Sequence, residues 1–229
     1  GVTGVQTCAL PIYASVVASG RQMVHVPFAM GGIGVFHSAP VGGASVHLTA
    51  CVMAKIFSRQ IKAWDDAEIV ALNRDLALPS LPIKVVHRVE GSSSTAGFTE
   101  YIKQSTAGVC DAAWGLSTGS TIEWPAGTYE AQGSDGMSTF IAANAGAIGY
   151  IDAGHGHEHG LSEVALQNKA GKYLTTTEAD IGAAGGGGAT RVTEDLEAAS
   201  LAGLPVFQGM FRIIDRKSTR LNSSHANIS

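Results

Sequence analysis

A β-type apolar run, a glycine–serine turn and a helical pattern follow one another near the middle of the chain. The run IKVVH occupies residues 83–87, and GSSS follows at 91–94. Phe98 and Tyr101 then lie on one face of a helix predicted over residues 95–104, because an α-helix repeats every 3.6 residues. A strand that passes through a short turn into a helix is a recurring unit of α/β domains, and this segment therefore predicts that fold class.

The chain alternates between these two patterns along most of its length. Strands are predicted at 83–87, 147–151 and 206–214, and residues 24–36 predict one or two buried strands or an extended crossing segment. Helices are predicted at 46–57, 64–73, 95–104, 134–144 and 194–202. Loops are predicted at 41–45 and 111–125, with a flexible glycine linker at 185–188.

Composition limits the functions that such a domain can have. Hydrophobic residues make up 45% of the 229 positions, which is enough apolar material for a folded core. The net charge of −4 lacks the basic excess that binding to a nucleic-acid backbone requires, so we expect no nucleic-acid partner. No apolar run approaches the ~20 residues that a membrane-spanning helix needs.

The chain contains three cysteines, Cys8, Cys51 and Cys110. None of them forms a CxxC pair, so neither a zinc ribbon nor a thioredoxin-type motif is predicted. Cys51 and Cys110 could form a disulfide in an oxidising compartment, or they could remain two buried free thiols. The sequence leaves both alternatives open.

The two ends of the chain differ in character from its middle. Residues 1–12 (GVTGVQTCALPI) and 216–229 (RKSTRLNSSHANIS) resemble translated sequencing-adapter sequence. We therefore expect both segments to be foreign and the domain itself to occupy residues 13–215. Ordinary flexible termini are the alternative. If the ends are foreign, the natural protein continues beyond both junctions, and the lack of a signal peptide carries no information.

Hydrogen-bond donors are concentrated between Arg88 and the start of the following helix. The first backbone N–H groups of a helix have no partner within it and lie at the positive end of its dipole, which stabilises an anion. Gly91 permits a sharp turn and close approach to an oxygen atom, and three serines follow it. Arg88 can direct two parallel N–H donors at one anion. The segment predicts an oxyanion site; a surface salt bridge and a simple helix cap are the alternative.

Glu90 lies among these donors, and its carboxylate would repel a fully ionised anion. The carboxylate becomes useful when the ligand carries a proton, because it can accept that proton in a hydrogen bond. Hydrogen phosphate and dihydrogen phosphate carry such a proton at neutral pH, whereas sulfate does not. Glu90 therefore predicts a preference for phosphate over sulfate.

Residues 85–95, VVHRVEGSSST, resemble the VVHRSDGSGTT segment of the phosphate-binding proteins of ABC phosphate-uptake systems. Residues 55–73, which contain KIF, IKAWDDAEI and ALN, and GAIGY at 146–150 resemble further segments of that family in the same order. The resemblance implies an α/β fold of the type II periplasmic-binding-protein-like class, in which two lobes close on phosphate. It also implies that this chain is mostly the second lobe, with hinge strands near 24–36 and 206–214.

The resemblance implies a role for each residue of the loop. Arg88, Ser92, Ser94 and the backbone N–H of Ser93 would donate hydrogen bonds to phosphate, and Glu90 would take the place of the family's proton-accepting aspartate. Gly91 would form the turn between them. The implied protein is a monomeric solute-binding component without cofactor or catalysis, which delivers inorganic phosphate to an ABC permease in the periplasm or at the cell surface.

Three departures from the family pattern stand out. The side chain of Glu90 is one methylene longer than aspartate. Ser93 stands where the family has a second glycine, and its side chain is expected to crowd the backbone near the anion. The family's first-lobe loops, which carry a Thr-Phe pair, a serine and an aspartate, have no match in residues 1–20. Half of the cleft is therefore expected to be missing.

Two other functions are compatible with the sequence. One is a surface or sensing module for another oxyanion, and the other is a hydrolase or phosphatase that uses Ser93 and His87. His155, His157 and His159 are weak candidates for zinc or copper ligands. So local a cluster is expected to be a solvated loop, and no metal site is predicted.

Overall fold

The computed structural model describes residues 32–168 and 171–179, all of which belong to the compact unit Gly31–Phe207. The strands are β1 Ile33–His37, β2 His47–Leu48, β3 Lys84–Arg88, β4 Tyr129–Ala131, β5 Ala147–Asp152, β6 Ser162–Glu163, β7 Ala165–Gln167 and β8 Tyr173–Leu174. The helices are α1 Ala50–Phe57, α2 Ala67–Leu72, α3 Ser93–Thr106, α4 Gly133–Ala143 and α5 Ala153–Glu158, with a 3₁₀ turn at Asp111–Ala113. Strands and helices alternate, which confirms the predicted α/β class.

The five-stranded central sheet has the order β4-β3-β5-β1-β6. Strands β4, β3 and β5 are mutually parallel, while β1 runs antiparallel to its neighbours β5 and β6. A second, smaller sheet has the order β2-β7-β8. Because β3, β4 and β5 are parallel, their carboxyl ends lie at one edge of the central sheet, and each is followed by a helix: α3, α4 and α5 respectively.

Helices cover both faces of the central sheet. On one face, Met137 and Ile141 of α4 form a core with residues of the sheet, namely Phe36, Val86, Ala147 and Ile151. On the other face, an aromatic cluster joins α1 and α3 to β5, with Phe98 stacked on Tyr150 at 4.4 Å and Phe57 in contact with both. Side chains of a strand point alternately to its two faces, so β5 supplies both layers.

Gly149 allows α4 to approach the sheet closely. A Cβ atom at this position would lie 2.7 Å from Val86 Cγ1 and 2.9 Å from Met137 Cε. Both distances are shorter than van der Waals contact, so a larger residue would force Val86 and Met137 to shift. The glycine is therefore a requirement of packing between the helix and the sheet.

Side-chain caps define where several helices begin. Thr49 accepts a hydrogen bond from Val52 N at the start of α1, and Asp66 accepts one from Glu68 N at the start of α2. Ser92 and Asp152 cap α3 and α5 in the same way. Each cap satisfies one of the backbone N–H groups that a helix start leaves unpaired.

Most predicted elements within the described residues are confirmed, including the loop at 41–45, the strand at 83–87 and the helix at 134–144. The helix predicted over 46–57 is wrong in its first part, because His47 and Leu48 pair with β7 and the helix starts only after the cap at Thr49. Strand β4 was not predicted, since its exposed three-residue sequence carries no apolar pattern.

Cys51 and Cys110 form a disulfide, with their Cα atoms 6.0 Å apart. This decides between the two alternatives that the sequence left open. No helix within the described ranges is long and apolar enough to cross a bilayer. The expectations for residues 1–31 and 180–229, which include the adapter-like ends, the glycine linker and the strand at 206–214, lie outside the described residues.

Candidate functional site

The loop between β3 and α3 lies at the carboxyl edge of the central sheet. Arg88 is the last residue of β3 and pairs in register with Ala131, the last residue of β4. Val89 continues this pairing by donating a hydrogen bond from its N–H to Ala131 O at 3.1 Å. In open α/β sheets, the carboxyl ends of parallel strands are where ligands bind, because the strand-to-helix loops converge there.

Ser92 caps α3 and pairs with one of the free backbone N–H groups at the start of that helix. Ser92 Oγ accepts a hydrogen bond from Ser94 N at 3.1 Å, and Ser92 N donates to Ser120 O at 2.8 Å. Among the described residues, the backbone N–H of Ser93 has no acceptor. The Ser93 amide and the hydroxyl hydrogens of the serines are therefore among the donors that the loop can still offer to a ligand.

Gly91 is held against a second loop that the sequence did not indicate as part of the site. A Cβ atom at Gly91 would lie 3.1 Å from Thr121 Oγ1 and 3.8 Å from Ser120 Oγ. The φ angle of Gly91 lies outside the left-handed region. The glycine is thus favoured by close approach to Thr121 rather than by an unusual backbone angle. Ser120 and Thr121 bring two more hydroxyl groups next to the turn.

Arg88 carries the positive charge of the loop in a half-buried position. Its Nε atom is buried, and no hydrogen-bond acceptor among the described residues reaches it. None of the ion pairs between described residues includes Arg88. Burial lowers the pKa of the guanidinium, while nearby Tyr150 and Glu90 act in the opposite direction. A half-buried guanidinium whose Nε has no acceptor among the described residues can be stabilised by an added anion.

Glu90 points toward the start of α4. Its Oε1 atom accepts a hydrogen bond from Gln132 Nε2 at 3.2 Å. The carboxylate is thereby held by a neutral donor, and it remains partly exposed. Gln132 was not identified from the sequence, because only the parallel pairing of β3 with β4 brings the two residues together.

Tyr150, on β5, contacts both ends of the loop. Its hydroxyl lies 2.7 Å from Thr95 Oγ1 in the first turn of α3 and 3.5 Å from the backbone N of Arg88. Burial raises the pKa of Tyr150 to about 12, so the hydroxyl stays neutral at physiological pH. Tyr150 was expected from the sequence only as part of a strand, and its position next to the loop depends on the order of strands in the sheet.

His87 contacts Trp124, Thr128 and the backbone carbonyl of Arg88. Its ring stacks on Trp124 at 4.8 Å, Nδ1 lies 3.1 Å from Arg88 O, and Nε2 lies 3.1 Å from Thr128 Oγ1. Burial lowers its pKa. Both ring nitrogens are occupied, and among the described hydrogen bonds none joins His87 to Ser93. The structure therefore does not form the Ser93–His87 pair that a hydrolase would need.

The three histidines after β5 do not share one environment. The solvated loop expected for them is wrong, because Asp152 caps a short helix, α5, that contains His155 and His157. His157 Nε2 lies 2.9 Å from Thr176 Oγ1 and 3.3 Å from Glu163 Oε2. His155 and His159 face another residue, Asp135, and are thus separated from His157.

The fold and the loop at its carboxyl edge define an α/β domain of the kind that binds small ligands between lobes or at strand ends. The chain belongs to the PBP superfamily, whose domain matches residues 12–206. This confirms the predicted family and the periplasmic-binding-protein-like fold class.

Curated relatives are about 30% identical to this chain over the aligned segments. The phosphate-binding protein PstS of Haemophilus influenzae is 31% identical over 155 residues, which cover 67% of this chain and 45% of that protein. PstS of Methanocaldococcus jannaschii is 29% identical over 177 residues, covering 73% of this chain and 44% of that protein. The chain therefore spans less than half of the length of these relatives.

The fold is also similar to that of a solved periplasmic phosphate-binding protein. PfluDING, described as a high affinity protein and solved with bound phosphate, gives a TM-score of 0.57 at 20% sequence identity. The match covers 79% of this chain and 50% of that one. At this identity the comparison establishes the fold, and it agrees with a chain that corresponds to about one lobe.

Proposed function

We propose that this chain binds inorganic phosphate as part of the solute-binding component of an ABC phosphate importer. The observation that carries the proposal is the half-buried Arg88 guanidinium, whose buried Nε has no acceptor among the described residues. Burying a charge without a partner is costly, and a bound anion would supply that partner. The proteins named phosphate-binding protein PstS among its relatives support phosphate as that anion.

The donors around Arg88 fit a small tetrahedral anion. Arg88 offers parallel N–H groups, the Ser93 amide lies at the start of a 14-residue helix, and the hydroxyl of Ser94 is one residue further. The helix dipole adds a partial positive charge at the same place. Such a set binds an anion with local donors, which is the route open to a protein whose net charge is −4.

Glu90 adds selectivity to this donor set. As a carboxylate it can accept the proton of hydrogen phosphate, whereas sulfate has no proton to donate. Its hydrogen bond from Gln132 leaves one carboxylate oxygen, Oε2, for a ligand. Sulfate binding would bring two unprotonated negative groups together, so we expect phosphate to be preferred.

The remaining parts of the proposal concern partner, location and chemistry. Binding and release, rather than catalysis, are expected from a loop in which no hydrogen bond among the described residues joins a serine hydroxyl to a histidine or a carboxylate. Delivery to a membrane permease and a periplasmic or cell-surface location follow from the role of solute-binding component. The Cys51–Cys110 disulfide supports this location, because such bonds persist in oxidising compartments.

The test is a calorimetric titration of the purified chain with phosphate and with sulfate at matched ionic strength. We expect saturable binding of phosphate and at least roughly tenfold weaker binding of sulfate, which corresponds to about 1.4 kcal/mol. Equal binding of the two anions would favour a general oxyanion module. Absence of phosphate binding up to millimolar concentration would contradict the proposal for this chain.

A further inference from the structure

Asp135, His155 and His159 bring three potential metal ligands together on two neighbouring helices. Asp135 lies in the first turn of α4, His155 lies in α5, and His159 is the residue at the carboxyl end of α5. One ligand atom from each residue lies within 4.8 Å of the corresponding atoms of the other two. The two rings pack with their centroids 4.4 Å apart.

The distances between these atoms are close to those of a coordinated ion. His155 Nε2 and Asp135 Oδ1 are separated by 3.1 Å. Two ligands that each lie ~2.0 Å from a tetrahedral zinc ion are about 3.3 Å apart. Bringing the third ligand atom in from as far as 4.8 Å requires a movement of roughly 1.5 Å. Asp135 and His159 are both exposed, so their side chains can move without disturbing the core.

A backbone carbonyl group orients the His159 ring and determines its tautomer. His159 Nδ1 lies 2.9 Å from the carbonyl oxygen of His155, which can only accept a hydrogen bond. In the neutral ring this contact places the proton on Nδ1 and leaves the lone pair on Nε2 free. A ligating histidine that donates its other N–H to a backbone carbonyl is the common arrangement in metalloproteins, because this contact orients the ring and sets the tautomer.

His157 provides an internal comparison. It lies between the other two histidines in sequence, yet its Nε2 atom contacts Thr176 Oγ1 and the buried Glu163. Residues four apart share one face of a helical turn, so His155 and His159 point together and His157 does not. His157 is therefore a structural residue, whereas His155 and His159 lie together near Asp135.

We propose that Asp135, His155 and His159 form a surface site for a divalent transition-metal ion, with water completing the coordination. Two imidazoles and one carboxylate match the ligand set of open zinc sites and also accept other first-row ions such as Co²⁺. The site is formed by α4 and α5 and uses none of the residues from Arg88 to Ser94. It is therefore independent of the proposed phosphate site.

The test is calorimetric titration of the complete chain with Zn²⁺ in phosphate-free buffer. The wild-type chain is expected to bind one ion, and H159Q and D135N are each expected to weaken binding at least roughly tenfold. The chain has eight histidines, so stoichiometry alone does not locate the ion and the variants must do so. Co²⁺ should give the visible absorption bands of a low-coordinate nitrogen–oxygen site, and H159Q should lose them.

Two control variants separate this site from its surroundings. E158Q removes an exposed carboxylate next to His159 in sequence and should leave Zn²⁺ binding unchanged, as should R88A in the phosphate loop. Circular dichroism checks that each variant remains folded. Wild-type affinity in both H159Q and D135N, or no Zn²⁺ binding by the wild-type chain up to millimolar concentration, would overturn the proposal.

Discussion

The hydroxyl groups of Tyr150 and Thr95 lie 2.7 Å apart and join β5 to the first turn of α3. Both residues are buried, so the contact is shielded from water. The same tyrosine hydroxyl lies 3.5 Å from the backbone N of Arg88, at the end of β3. One phenol therefore supports both sides of the loop in which we place phosphate.

Replacing Tyr150 with phenylalanine should destabilise the domain and weaken phosphate binding together. The variant leaves the buried Thr95 hydroxyl without its partner, which costs about 1–3 kcal/mol of unfolding free energy. Urea denaturation of Y150F measures this loss. T95V removes the other hydroxyl of the pair, and the double variant should be less destabilised than the sum of the single variants. Strict additivity would show that the two hydroxyl groups do not interact.

Alkaline pH should destabilise the domain through its buried tyrosines. Burial raises the pKa of both Tyr150 and Tyr101 to about 12. An unfolded tyrosine ionises near pH 10, so between about pH 10 and 12 the unfolded state holds fewer protons and stability falls as pH rises. Each tyrosine contributes a slope of up to ~1.4 kcal/mol per pH unit.

Denaturation of wild-type protein, Y150F and Y101F at several pH values between about 9 and 12 tests this linkage. Each variant should show a shallower decline than wild type, because one titrating group has been removed. Lysines ionise in the same range in all three proteins, so only the difference between the curves is informative. Parallel curves would contradict the raised pKa of the tyrosines.

Arg88→Ala should weaken phosphate binding by about 1.5–3 kcal/mol, the usual contribution of a hydrogen bond to a charged group. Arg74→Ala is the matched control, because Arg74 is exposed and lies outside the loop. Titration of both variants with phosphate separates a specific contact from an effect of net charge. Equal losses in the two variants would remove Arg88 from the site.

Glu90→Gln should narrow the preference for phosphate over sulfate. An amide keeps the size of the side chain but removes the charge that opposes sulfate, and its oxygen still accepts a proton in a hydrogen bond. The measured quantity is the ratio of the two dissociation constants. Glu100→Gln, an exposed change on α3, should leave that ratio unaltered. An unchanged ratio in Glu90→Gln would contradict the proton-acceptor role.

Loss of the Cys51–Cys110 disulfide should lower the free energy of unfolding by about 2–4 kcal/mol. The two cysteines are 59 positions apart, so the bond restricts a long loop of the unfolded chain. Denaturation of the C51S/C110S variant measures the loss. Dithiothreitol should destabilise the wild-type chain and leave the variant unaffected; equal effects on both would contradict the disulfide.

Local patterns predicted much of the fold within the described residues. The apolar run at 83–87, the helical spacing over 95–104 and the run at 147–151 each became the expected element. Errors occurred where an element depends on a distant partner. His47 and Leu48 form a strand because β7 pairs with them, and β4 exists because β3 lies next to it.

The candidate site likewise contains some residues that the sequence identified and others that it did not. Arg88, Glu90 and the serines were identified from the sequence, because their grouping at the start of a helix is a local property. Gln132, Thr121 and Tyr150 were not identified, since each reaches the loop across the sheet or from another loop. The assignment of the loop residues as phosphate ligands stays a prediction.

The amino-acid order by itself determined the donor-rich loop and the family, since both depend on neighbouring residues or on ordered segments. Only the tertiary structure decided that Cys51 and Cys110 are bonded, that His87 faces Trp124, and that His159 joins Asp135 while His157 does not. The physical reason is that the direction of a side chain follows from strand order and helix packing. Contacts between residues far apart in the chain form only once those layers are in place.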